Sequence, residues 1–374
     1  EGGGGGATVA AFGEQAQQHQ QQQEPATPSG LEGEAKLTTS ETKLKSQSVP
    51  NITQQLFLDL QSDDRETKLQ ATEALRKALS VETNPPVQPA IDAGVVPQLT
   101  SFLSNHDDPT LQLEAAWALT NILSGTSSQV QSVVQAGTIP LFVQLLSSPS
   151  EEVAEQSMWA LGNIAGDSVD HRDLVLSAGV VAPLLAQLGA SAKISVLRIG
   201  TWSLSNLCSK KPPPPFAKVS SSLPVLAELI QKEDEEILIN VCTTLFELSK
   251  GQDEKIGAVV GTGITGRVVE LMLHSSTKVQ EFAVKIIGNL VSGDEQSTQA
   301  VIDASALSNL LLLLDTKSAA VQKAACYALS NITAGTSSQR QAVVDAKIVP
   351  LVVELLKNAE VGVKIEAAWV LANA

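Results

Sequence analysis

Aromatic residues are scarce in this chain: 3% of 374 residues, as four Trp, one Tyr and seven Phe. A core of the size that 43% apolar residues permits must therefore be filled mainly by Leu, Val, Ile and Ala. Cysteine is scarcer still. Cys208, Cys242 and Cys326 lie far apart and form no CxxC or Cys/His cluster, so neither a disulfide frame nor a zinc site is expected. No run reaches 18 apolar residues, which argues against a membrane span, and no charged-then-apolar leader follows Glu1. Basic residues are outnumbered, 25 against 40 acidic, for a net charge of −15. Affinity for phosphate needs clustered Lys and Arg, so nucleic acid and anionic membrane are not expected partners. A basic ligand is the natural counterpart.

Residues 1–50 run from EGGGGG through a Gln-rich stretch to Pro, Ser, Thr and Glu. Such a segment buries too little apolar surface to offset its chain entropy, and it is expected to be a disordered Gly/Gln-rich tail. It holds three basic and six acidic residues, which leaves the remainder, 51–374, at −12. The acidity belongs to the folded body.

From residue 51 onward the sequence repeats. TNILSGTSSQVQSVV at 120–134 is echoed by SNITAGTSSQRQAVV at 330–344. Trp117, Trp159 and Trp202 fall in one frame, which continues through Thr243, Lys285, Tyr327 and Trp369 in steps of 41 to 43 residues. Four residues after each comes Asn121, Asn163, Asn206, Glu247, Asn289, Asn331 or Asn373. A second marker ends at Pro97, Pro140, Pro183, Pro224 and Pro350. Two markers in step at ~42 residues have the period of armadillo and HEAT units.

Each unit reads as helical. Leu111, Ala115, Ala118, Leu119 and Ile122 share one face at about 100° per residue. Asp108 with Pro109 signals a helix start, and 148–151 (Ser-Pro-Ser-Glu) has the spacing of a capping box. Gly125, Gly166, Gly251, Gly293 and Gly335 stand where left-handed helix ends are expected. No strand-like alternation persists. The pattern predicts an all-α fold, a right-handed α-solenoid of about seven repeats over 51–374 with the last incomplete.

Trp117 and Asn121 project roughly 100° to 140° from the apolar stripe, on the side of Glu114. Stacked units turn such residues into parallel rows. An Asn amide carries a donor and an acceptor, and so it can pair with the backbone of an extended peptide. Indole faces accept the stems of Lys or Arg, with cation–π attraction of about 0.5 to 2 kcal/mol each. Acidic residues at helix ends, such as Asp167, can take the charged heads. Inter-repeat packing is the competing reading of the same Trp and Asn positions.

The strings AAWALTNILSGTS, SMWALGNIAGD, TWSLSNLCSKKPPPP and EAAWVLANA resemble the armadillo repeats of the importin-α family over about 51–374. The resemblance implies a nuclear import adaptor of cytoplasm and nucleus, with importin-β as a partner and no cofactor or metal. Its cargo would be Lys/Arg-rich nuclear localisation signals, held in extended form. The major site would be built by Trp117, Asn121, Trp159, Asn163, Trp202 and Asn206, lined by Ser124, Gly125 and Gln156, with Asp167 receiving the defining lysine. A minor site would comprise Asn289, Tyr327, Asn331, Glu366, Trp369 and Asn373. Thr243, Glu247 and Asn240 depart from the family's usual residues, and Tyr327 replaces a usual Trp. The tail shows no arginine-rich importin-β-binding segment and the chain stops after Ala374, as expected of a fragment or an atypical member.

Other signals point elsewhere less well. The GxGxxG at 261–266 falls where an inter-helix turn belongs, whereas a dinucleotide site needs a preceding strand. The prolines at 212–215 read as a linker, and the acidic run at 233–236 as a helix start. His19, His106, His171 and His274 are scattered, and no catalytic constellation emerges, so no enzyme is expected. The alternative is an armadillo scaffold of the β-catenin type. That type needs a Lys/Arg-lined groove for acidic tails, and a body at −12 argues against it.

Overall fold

The computed structural model describes residues 53–81 and 84–374; the expected disordered tail lies outside the described residues. Helices joined by turns account for them, with no strand among them. Eight long helices set the frame: α1 (Arg65–Leu79), α2 (Pro109–Leu123), α3 (Glu151–Asp167), α4 (Ile194–Cys208), α5 (Glu235–Leu248), α6 (Thr277–Leu290), α7 (Ala319–Thr333) and α8 (Val361–Asn373). Their starts are 41 to 44 residues apart, and shorter helices fill each interval, such as Ser127–Gln135 and Thr138–Leu145 between α2 and α3. Every long helix packs along the next, from α1 to α8. The architecture is a right-handed α-solenoid.

The apolar stripe explains the stacking. Leu111, Ala115, Ala118, Leu119 and Ile122 of α2 are all buried, at 1% exposure or less. A fully buried Leu or Ile contributes about 1.5–3 kcal/mol, and here the cover comes from neighbouring units. The result is one continuous core from Leu60 to Val370. Burial also pushes the Cys208, Cys242 and Cys326 thiols up to about 12, so they act as small apolar fillers.

The helix starts follow from their caps. Asp108 precedes Pro109 and accepts the Leu111 N–H at 3.2 Å. The Asp108 carboxylate also receives Arg65 of the preceding unit at 2.6 and 2.9 Å, and this contact holds it below the usual carboxylate range. Asp234 repeats the device, capping α5 and meeting Arg198 of α4 at 2.7 Å. The capping box expected at 148–151 is absent: Ser150 is the cap, and Ser148 accepts the Ser150 N–H instead. Capping boxes occur at Thr126/Gln129 and Thr336/Gln339, inside the duplicated GTSSQ strings.

The expected left-handed helix ends are also displaced. Of the five glycines named for that role only Gly251 has positive φ, and Gly166 lies within α3. The left-handed residue belongs to the proline marker: Gly94, Gly137 and Gly179 have φ of 78–80°, each just before the next short helix. Ser305 (φ 66°) and Lys347 (φ 59°) hold the same place without being glycine. There the Cβ crowds the following carbonyl, at a cost of about 1–2 kcal/mol.

Two outcomes are expected. Lys347→Gly and Ser305→Gly should each stabilise the fold by about 0.5–1 kcal/mol, once the extra chain entropy of glycine is offset. Gly137→Ala should destabilise it, and urea melts followed by circular dichroism check all three. Since the folded-state pKa of Asp108 is depressed, its contribution is present above the unfolded value near 3.9 and lost as pH falls through the lower folded one. Asp108→Asn should therefore shrink the acid-side loss of thermal midpoint between about pH 4 and pH 2.

Candidate peptide-binding site

Helices α2 to α8 each carry the aromatic position near their middle. Trp117, Tyr327 and Trp369 are 37%, 38% and 41% exposed, while Trp159 and Trp202 are half-buried. The six Asn of the frame are half-buried beside them. What fixes both rows is the preceding unit.

Each Asn donates an Nδ2–H back across one period. Asn121 reaches Ser80 Oγ at 2.8 Å and the Arg76 carbonyl at 3.4 Å. Asn163 reaches Ser124 Oγ at 3.3 Å, and Asn206 reaches the Gly162 carbonyl at 3.1 Å. Asn289 takes the Phe246 carbonyl at 3.1 Å and Ser249 Oγ at 2.9 Å. Asn331 and Asn373 reach the carbonyls of Gly288 and Ser330 at 3.3 and 3.1 Å. Asn121 and Asn289 each meet two acceptors and the other four meet one, and in every case the acceptor Oδ1 is left for a ligand.

The rings rest on small residues of the unit before. A Cβ on Gly162 would collide with the Trp202 ring, and one on Gly288 would come within 2.9 Å of Tyr327. The absence of a side chain lets the ring approach the helix before it closely. Where the aromatic position is lost, at Thr243 and Lys285, the chain supplies its own cations. Lys250 lies 4.0 Å from the Phe246 ring centre, and Lys285 lies 5.3 Å from Phe282 and 5.8 Å from Phe246. Glu247 and Glu281 pair with those lysines at 2.6 Å each. Arg76 likewise sits 4.4 Å from the Trp117 ring centre, held by Glu114 at 2.7 Å.

Asp167, the last residue of α3, is nearly buried, and both carboxylate oxygens have partners. Ser127 Oγ donates to Oδ1 at 2.6 Å, and His171 Nδ1 lies 2.7 Å from Oδ2. The other ring nitrogen of His171 is 2.8 Å from Gln131 Oε1. Lys210 Nζ donates to the Asp167 main-chain oxygen at 3.2 Å. Gln156, one turn before Trp159, is 9% exposed, and its Nε2 has no hydrogen-bond partner among the described residues. A buried donor without an acceptor costs about 1–3 kcal/mol, so this amide invites one. Glu366 stands one turn before Trp369, and burial holds its carboxyl above the usual range, with Lys323 opposing.

Ser124 and Gly125 border a shallow recess with Asn121 and Ser80. Asn163 and Ser124 are brought into contact, and Asn206 lies against Gly166. Gln156 and Asp167 share α3 but no contact. Arg76, Ser80, Ser127, Ser249 and Lys210 were not singled out from the sequence. Their contacts join residues 38 to 43 apart, so complementary pairs sought at one repeat period would have exposed them.

The Asn row ties units together as well as facing outward. Asn206→Ala should cost about 1 kcal/mol of stability in urea denaturation without ligand, from one lost inter-unit hydrogen bond, and Asn289→Ala at least as much, from two. A purely ligand-facing Asn would leave the melt unchanged.

Comparison with known proteins adds a family. The armadillo/β-catenin-like repeat matches residues 83–124, 126–166, 168–209 and 336–374, and a HEAT-like repeat matches 277–332. Importin subunit alpha-1b of Oryza sativa subsp. japonica is 51% identical over 233 residues, 62% of this chain and 44% of the rice protein. Importin subunit alpha-2 of Arabidopsis thaliana is 53% identical over 215 residues, 58% and 40% of the two chains. Importin subunit alpha-B of Dictyostelium discoideum is 49% identical over 239 residues, 63% and 46%. The chain thus spans less than half the length of these curated relatives. An engineered protein solved by the Northeast Structural Genomics Consortium superposes with a TM-score of 0.78 at 31% identity, covering 85% of this chain and 77% of its own. A chain of ~42-residue helical units with armadillo-type repeats, it is similar over its matched part to importin-α proteins.

Proposed function

We propose that this chain is a nuclear import adaptor of cytoplasm and nucleus that binds Lys/Arg-rich nuclear localisation signals in extended form. The observation that carries the reading is the Asn row, each amide oriented by the preceding helix and, except at Asn289, set one turn after an exposed or half-buried ring. Amides fixed before the ligand arrives bind at a lower entropic cost than mobile ones. Asn121, Asn163 and Asn206 hold the peptide backbone, and Trp117, Trp159 and Trp202 flank the side-chain stems. Asp167 supplies the field for one lysine, and Gln156 offers its unpaired amide to a peptide carbonyl. Asn289, Tyr327, Asn331, Glu366, Trp369 and Asn373 form a second, shorter stretch. Importin-β enters as the partner that the resemblance to importin-α implies, and no residue here is assigned to it.

Titration of a fluorescent lysine-rich peptide tests this. Asp167→Asn keeps the size of the buried side chain and removes its charge. Contacts to a charged group are worth about 1.5–3 kcal/mol, so the variant should bind roughly tenfold more weakly. Glu366→Gln should cost a single-cluster peptide less, and the difference should narrow in high salt. Equal affinity in Asp167→Asn and the unmodified chain would move the lysine pocket elsewhere. Preference for an acidic peptide would favour the scaffold reading instead.

A further inference from the structure

The segment after α4 brings a lysine of this chain to the same helix end that carries Asp167. Lys210 is the second residue beyond Cys208 and adopts φ +76°, a left-handed conformation that a lysine takes only at a cost. Its neighbours hold it there. Arg172, 1% exposed, donates to the carbonyls of Ser209 at 2.9 Å and Pro212 at 2.8 Å, on either side of it. The Lys210 ammonium then meets the Asp167 main-chain oxygen at 3.2 Å, at the carbonyl end of α3 where the helix dipole is negative. Partial burial lowers its pKa, with Asp167 opposing and Arg172 adding to the effect.

We infer that Lys210 is a selectivity residue of the Asp167 pocket: a resident cation that competes with the lysine of an incoming peptide. The inference rests on the proposed basic-peptide reading. Two ammonium groups cannot share this helix end without repulsion, so an incoming lysine must displace Lys210 or accept a weakened field. Both Asp167 carboxylate oxygens already have partners in Ser127 and His171, which leaves the pocket self-satisfied when empty. The resident cation raises the threshold, so peptides with one isolated lysine bind poorly and only clustered charge prevails.

Lys210→Gln removes the charge while keeping a long side chain on the same strained backbone, and Lys210→Arg keeps the charge. With the fluorescent lysine-rich peptide at low salt, Lys210→Gln should bind roughly threefold to tenfold tighter, as removal of one nearby partly screened charge predicts. Lys210→Arg should stay within about twofold of the unmodified chain, and the gain should fade as salt rises. Lys210→Gly serves as a second neutral variant: it relieves the left-handed strain, should melt higher, and should also bind tighter. Unchanged or weaker binding in both neutral variants, while the unmodified chain binds, would overturn the inference and leave Lys210 as a cap on α3. Absence of binding by the unmodified chain and by every variant would overturn the basic-peptide reading itself, and this inference with it.

Discussion

The core of this solenoid runs from unit to unit; each long helix is covered by the long helices beside it and by the short helices of the neighbouring intervals. Leu119 and Ile122 of α2 reach zero exposure because neighbouring units close over them. Stability is therefore a sum of interfaces between neighbours, and whatever sits at an interface sets both packing and surface. The polar contacts obey the same rule. Arg65 with Asp108, Asn121 with Ser80, Ser127 with Asp167 and Arg198 with Asp234 all span about one period.

That constraint makes the packing and binding readings of the Trp and Asn rows compatible. An Asn whose Nδ2 is bound to the preceding helix has a fixed acceptor facing away from it. Trp202, packed against Gly162, is held there while part of it stays exposed. The packing contact is what preorganises the other half of the side chain. Mobile side chains of similar composition would lose rotamer freedom on binding, about 0.5–1.5 kcal/mol each.

Much of this was legible in the sequence, because helical phase and period are one-dimensional quantities. The stripe from Leu111 to Ile122, the Asp108-Pro109 start and the ~42-residue step all reappear in the structure. What was not legible depends on which of two chemically similar positions wins locally. Ser150 rather than Ser148 caps α3, since the chain enters the helix two residues later than the motif suggests. Gly137 takes the left-handed conformation while Gly125 does not, because Gly125 opens the capping box of Thr126 and Gln129 instead. The surroundings of Asp167 were hidden for another reason: Ser127 and Lys210 lie 40 and 43 residues away, and only folding brings them to it.

The arrangement of resident cations carries the argument about charge one step further. A net charge of −15 describes the whole chain, but ligands meet local fields that fall off within about 8–10 Å at physiological salt. In the middle of the row, Lys250 and Lys285 lie over Phe246 and Phe282 and are neutralised by Glu247 and Glu281. That stretch offers neither an unoccupied indole nor an unpaired carboxylate, and a foreign lysine there would have to evict a tethered one. A tethered competitor acts at high effective concentration, so it loses only to several ligand charges acting together. On the proposed reading, Asp167 on one side of the stretch and Glu366 on the other would face a basic chain as separate attractions. Their separation is a consequence of Thr243 and Lys285 standing where the other units, apart from these two, place an aromatic ring.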